Sequence, residues 1–177
     1  KEGPEWIGAE EPYQRLKDRS DVVAFETDPL EDDIEVTGEV MIKLWVSSTA
    51  VDTDFTVKLI DVYPFSDDYP EGYELNLTDT ILRARYRNSW SEEELMTPGE
   101  AVEVTITLWP TSNVFKKGHR IRLDISSSNF PRFDVNPNTG EPVGRHTHML
   151  KADNTIHTGA DHPSRIILPV IPAEDED

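Results

Sequence analysis

Three consecutive serines, Ser126, Ser127 and Ser128, close an alternating stretch and open a loop rich in Asn, Pro and Asp. A serine nucleophile needs a positioned base and an oxyanion hole. On an α/β-hydrolase sheet it also needs Gly-x-Ser-x-Gly, because the sharp turn brings backbones too close for larger side chains. The two glycines that stand four apart, Gly140 and Gly144, have Pro142 between them, so there is no such elbow. The three hydroxyls therefore read as small groups bonding local backbone where a strand turns. They are assigned no catalytic role.

The histidines are His119, His146, His148, His157 and His162. His146 and His148 would share a face on a strand, and Asp161 with His162 could complete a metal shell. None of the tight ligand spacings that mark a metal site is present, so neither metal nor cofactor is expected. Acidic residues come in pairs, at Asp32 and Asp33, Asp52 and Asp54, Asp67 and Asp68, but none fits a calcium loop. They read as solvated surface.

The elements that would position such groups are strands. "GEVMIKLWVSS" places Val40, Ile42, Leu44 and Val46 on one face and Met41, Lys43, Trp45 and Ser47 on the other. The first face belongs to a core. Trp45 then points outward from a strand whose other side is core, which requires a cover: a loop, a partner or a ligand. "DFTVKLIDVYP", "EAVEVTITLWP" and "HRIRLDIS" repeat the period of two, Pro64 and Pro110 end the first two, and "SRIILPVI" supplies a more continuously apolar strand. Gly118 permits the turn before Ile121, Leu123 and Ile125, and Phe130 and Phe133 are expected to anchor the loop beyond. Only "EEPYQRLKDR" and "EEELM" (92–96) look like helical turns. With Gly- and Pro-bearing turns between short strands, the expected class is an all-β sandwich.

"LTDTILRARYR" puts Arg83, Arg85 and Arg87 on one face of a strand. Three guanidinium groups in such a row need carboxylate partners, either within the fold or on a neighbouring domain, and an ion-pair ladder is expected.

The composition bounds the rest. A chain of 177 residues can bury about 70% of its unfolded surface, and the aromatic content argues against wholesale disorder. Seventeen Lys and Arg against 35 Asp and Glu give a net charge of −18, which repels nucleic acid and anionic membranes. No stretch suits a membrane span or a signal peptide, so a soluble, cytoplasmic protein is expected. Zero Cys excludes disulfides, thiolate metal sites and a cysteine nucleophile. Residues 1–12 and 172–177 are expected to be loose ends around a single domain, 13–171.

The segments "DVVAFETDPLEDDIEVTG", "VSSTAVDTDFTVKLIDVYP", "LNLTDTILRARYR", "PGEAVEVTITLWPTSNVFKKGHRIRLDISSSNFPRFDVNPNTG" and "HPSRIILPVI" follow one another over roughly residues 13–171. In order and spacing they resemble the C-terminal domain of the cocaine esterase and X-Pro dipeptidyl-peptidase family. That resemblance implies a jelly roll of the galactose-binding-like type. It also implies that the Ser, Asp and His of catalysis belong to a separate α/β-hydrolase domain of the same protein, the expected partner beside a homodimer contact. The family's jelly roll helps wall the substrate pocket, and its pocket-facing pair carries over onto Leu44 and Trp45. Alternation agrees for Trp45 but puts Leu44 in the core. Two other readings stay open: a free-standing carbohydrate or small-ligand module using Trp45, and a metal enzyme built on the histidines.

If the acidity is an adaptation to salt, the melting temperature rises markedly in molar KCl, because salt screens carboxylate self-repulsion. A flat thermal scan from low salt to molar KCl identifies an ordinary acidic protein.

Overall fold

Strict alternation along residues 41–48 becomes a strand with alternating burial, Ile42, Leu44, Val46 and Ser48 being buried and the residues between them half-exposed. The structure is a computed structural model that describes residues 16–172. It contains eleven strands: β1 (Val22–Glu26), β2 (Ile34–Gly38), β3 (Met41–Ser48), β4 (Asp54–Tyr63), β5 (Tyr73–Arg83), β6 (Val102–Thr107), β7 (Thr111–Phe115), β8 (Arg120–Ser126), β9 (Asn154–His157), β10 (Arg165–Ile167) and β11 (Val170–Ile171). All paired neighbours are antiparallel. Among the described residues there is no α-helix, and so none long and apolar enough to cross a membrane.

One sheet has the order β1-β8-β4-β5. The facing sheet is built on β3, with β6 on one side and with β10 and β9 end to end along the other. A small sheet, β11-β2-β7, closes one end. Between the two large sheets lie Ile42, Leu44 and Val46 of β3, Phe55, Val57 and Leu59 of β4, Val104 and Ile106 of β6, and Ile121, Leu123 and Ile125 of β8. These are the residues that the period of two selects.

The structure departs from the sequence reading in several places. "SRIILPVI" is two strands in different sheets, because Pro169 cannot donate to a ladder and the chain crosses there. Its carbonyl accepts from Thr37 N, and its ring packs so close to Gly38 that a Cβ at Gly38 would lie 3.2 Å from the Pro169 Cγ. "EEELM" is extended, tied by Glu94 N to Arg85 O and Met96 N to Val51 O. Strand β5 ends at Arg83, and Ala84–Tyr86 form a 3-10 turn, so the three arginines do not share a strand face. Phe130 is 69% exposed and anchors nothing among the described residues, whereas the polar Asn136 of the same loop is buried. Within "EEPYQRLKDR" only Leu16–Asp18 form a 3-10 turn; residues 10–15 fall outside the described residues. The expectations for residues 1–12 and for the tail beyond 172 also concern residues outside those described.

Truncating Phe55, which is 1% exposed between the sheets, should cost about 3–5 kcal/mol through lost burial and the cavity left behind. Val114→Ala, at a position 39% exposed, should change stability by about 0.5 kcal/mol or less. Denaturant unfolding of the two variants measures the difference.

Candidate functional site

Two charged networks and one aromatic patch carry the polar chemistry of the domain. The first network surrounds the arginines. The Arg83 guanidinium binds Asp54 through two parallel hydrogen bonds of 2.9 Å, from Nε and from Nη2. Arg85, 1% exposed, donates from its backbone N–H (3.0 Å) and its Nε (2.8 Å) to Asp52, from Nη1 to Glu93 and from Nη2 to the Glu141 carbonyl. Asn136 Nδ2 donates to both Asp52 (2.9 Å) and Asp54 (2.8 Å). Arg87 pairs with Glu94 at the surface. The Asp54 hydrogen bonds hold the Arg83 pKa above its ordinary value. Asp52 and Asp54 are therefore not solvated: they are 0% and 1% exposed. Their partners lie about thirty residues on, a distance at which spacing carries no signal.

The second network covers the outer face of the β1-β8-β4-β5 sheet. Arg122, 1% exposed, binds Asp124 (3.0 Å) and Glu74 (2.8 Å), and Glu26 lies 3.8 Å from its Nη1, which makes no hydrogen bond among the described residues. Lys17 adds a second cation to Glu74. Lys58, Asn129 and Arg132 converge on Asp79. Hydrogen bonding to Arg122 draws the Glu74 pKa down to about 2. Burial pushes the Asp124 carboxyl up, because Arg122 is shared with Glu74 and does not repay the full loss of water. The alternation "RIRLDI" marks Arg122 and Asp124 as outward-facing. Their burial comes from the chain segments laid over them.

The serines bond local backbone only in part: Ser126 Oγ donates to Ser128 O, but two of the three also have distant side-chain partners. Ser126 Oγ is 2.6 Å from Thr56 Oγ1, Ser127 Oγ accepts from Asn154, and Ser128 Oγ accepts from Phe130 N. His119 bonds Asp61, and His148 lies against Glu141. No group of three or more metal-ligating side chains forms among the described residues.

The aromatic patch is on the outer face of β3. Trp45 is half-buried, and the His162 ring lies against it in an edge-to-face contact, the ring centroids 4.6 Å apart and the planes at 65°. Beside it, His157 Nε2 is 2.9 Å from Ser47 Oγ. Register places Met41 beside Thr107 and Ile167, Lys43 beside Thr105 and Arg165, and Trp45 beside Glu103 and His157. In the register this face thus carries two cations, Lys43 and Arg165, and one carboxylate, Glu103, which lies 3.5 Å from Arg165, in a chain of net charge −18. Leu44, 2% exposed, points into the sandwich and lines the floor of an apolar groove of about 330 Å³ between the free edges of β1 and β10, with Phe25, Leu123 and Ile166 as walls. His157, His162 and Ser164 escaped the sequence reading as neighbours of Trp45. Two of them were weighed only as metal ligands, and nothing local brings residues 157–164 back to residue 45.

The fold is an antiparallel sandwich that carries an outward, partly covered tryptophan. Residues 3–167 match the X-Pro dipeptidyl-peptidase C-terminal non-catalytic domain, and the chain belongs to that family. It is 48% identical over 158 residues to the cocaine esterase of Rhodococcus sp. (strain MB1 Bresler), covering 88% of this chain and 26% of the esterase. Among solved structures, an α-amino acid ester hydrolase superposes with a TM-score of 0.83 at 34% identity, over 88% of this chain and 26% of that one. An aminopeptidase of a marine sediment Thaumarchaeota archaeon does so with 0.82 at 32% identity, over 87% and 26%. The chain spans about a quarter of the length of these relatives. A match to hydrolase accessory domains does not favour a free-standing carbohydrate module.

The shifted carboxyl sets a pH dependence. A folded pKa of about 2 against an ordinary 4.5 means that Glu74 contributes stability above pH 4.5, lost as the pH falls towards 2. Glu74→Gln should lower stability by about 1 kcal/mol at pH 7, a figure already discounted for solvent screening of a part-exposed group. It should also flatten the loss between pH 4.5 and 2. Asp124, shifted the other way by burial, opposes this slope. Urea midpoints of both proteins across that range test the sign.

Proposed function

We propose that this chain is the jelly-roll domain of a larger serine hydrolase that cleaves esters or X-Pro peptides, and that it docks on the catalytic α/β-hydrolase domain through the outer face of β3. The observation that carries this reading is Trp45: a large aromatic on a face whose one carboxylate in the register, Glu103, is paired with Arg165, and which Lys43 leaves with a positive charge, in a chain otherwise dominated by acid. A neighbouring domain can bury that face without burying unpaired carboxylates. There Trp45 supplies the acyl-side wall of the substrate pocket. Leu44, in the core beneath, holds the strand that presents it. Arg83, Arg85 and Arg87 form an ion-pair ladder that works inside the domain rather than across the docking face, since each has acidic partners in its own chain. A homodimer contact and a cytoplasmic location belong to the same reading, the latter supported by the absence of Cys.

The purified 177-residue chain should not turn over p-nitrophenyl esters, and Ser127→Ala should change nothing. Turnover abolished by that substitution would sink the proposal. The reading frame upstream of Lys1 should carry Gly-x-Ser-x-Gly, then Asp and His in that order. When that catalytic domain is supplied separately, Trp45→Ala should weaken its binding to this chain by about tenfold or more. Equal binding by the variant would remove Trp45 from the interface.

A further inference from the structure

On the edge of β3 opposite β6, strand β9 stops at His157 and β10 does not begin until Arg165, and the chain between them returns to Trp45. Trp45 stands opposite His157 in the register. The Trp45 N–H donates to Ser164 Oγ at 2.9 Å, and the same hydroxyl donates to the His157 carbonyl at 2.6 Å. One hydroxyl thus bridges the backbones of β3 and β9, accepting from the first and donating to the second. The link is tight because a hydroxyl both donates and accepts, so each bond polarises the other.

Two short turns then fix what lies above. His162 N donates to Gly159 O and Ser164 N to His162 O, each at 3.1 Å. With Ser164 tied to β3, these bonds leave the His162 ring against the indole. Behind it, the His157 ring lies 5.6 Å away and is itself held by Ser47. An edge-to-face contact of this kind orients a ring as well as burying it. Trp45 is therefore held twice, by its backbone through Ser164 and by its indole through His162.

We infer that Ser164 and His162 are positioning residues whose shared task is to set the orientation of the Trp45 indole, with residues 157–164 as a clamp on β3. The consequence for substrate, that the clamp sets the width of the acyl-side wall, rests on the reading proposed above; the clamp itself does not. In an enzyme pocket, a wall residue on a rigid strand with a locked rotamer positions substrate better than one left to solvent.

The test uses the 177-residue chain. Acrylamide quenching and near-ultraviolet circular dichroism are recorded for the wild type and for Trp45→Phe, and the difference isolates Trp45 from the other tryptophans. His162→Ala should raise the quenching constant of that difference signal about twofold and diminish its dichroism, because the indole loses the ring that covers it and its rotamer is freed. His162→Phe should restore both. Ser164→Ala should behave like His162→Ala, and Ser164→Thr, which keeps the hydroxyl, like the wild type. A clamp that serves only stability would lower the melting temperature and leave the Trp45 signal unchanged, and that result would overturn the inference. If an alanine variant does not fold, His162→Gln and Ser164→Val are read by the same signal and the same criterion. In the full-length enzyme, His162→Ala should raise KM for the bulkier acyl substrates more than it lowers kcat. An altered Trp45 signal with unchanged kinetics would refute the pocket reading and leave the clamp standing.

Discussion

The fold hangs on a charged pair that has left water. Arg85 and Asp52 are 1% and 0% exposed, and every donor of the arginine that faces the interior meets an acceptor: Asp52, Glu93 or the Glu141 carbonyl. Burying two charges is costly, and a pair of this kind is tolerated only when its remaining hydrogen-bonding groups are satisfied as well. Asn136 completes the set by bridging Asp52 and Asp54, and Asp54 in turn holds Arg83. Together these bonds join the start of β4, the end of β5 and the long loop after β8. That loop has little regular structure of its own, and its attachment is polar rather than hydrophobic.

The same economy runs across the outer face of the first sheet, where Arg122 is shared among Asp124, Glu74 and Glu26. A chain with twice as many acids as bases has few cations to distribute, and the structure places several of them where they neutralise carboxylates from distant segments. Most of the remaining acids are left to the solvent. On the outer face of β3 the pairing is sparser, Arg165 with Glu103, and the chemistry differs: an indole, two imidazoles, serine and threonine hydroxyls and the charge of Lys43. A surface of that character suits a protein neighbour better than water does.

Much of the architecture was legible in the chain. Alternation identified β3, β4, β6 and β8 and the inward residue of each, because side chains on a strand must alternate and only one side of a sandwich can be dry. It failed where a second constraint intervened. β4 is buried on both faces, since the loop after β8 packs over Thr56 and Lys58. "LRARYR" keeps the period of two but leaves the sheet at Arg83, because the Arg85 backbone N–H is taken by Asp52 instead of a neighbouring strand. "SRIILPVI" reads as one apolar strand, yet Pro169 divides it between two sheets.

What the sequence determined by itself was the class of the domain, the inward and outward faces of its main strands, and the outward position of Trp45; the order of its segments carried the family. All of these follow from local periodicity or from the succession of motifs, which the chain displays without folding. Only the tertiary structure decided which carboxylate meets which arginine, and that Ser164 and His162 close over Trp45. Those contacts join residues from about 30 to almost 120 positions apart. Coulombic attraction and hydrogen bonding act at a few ångströms, so their partners are set by how the strands pair and not by spacing along the chain.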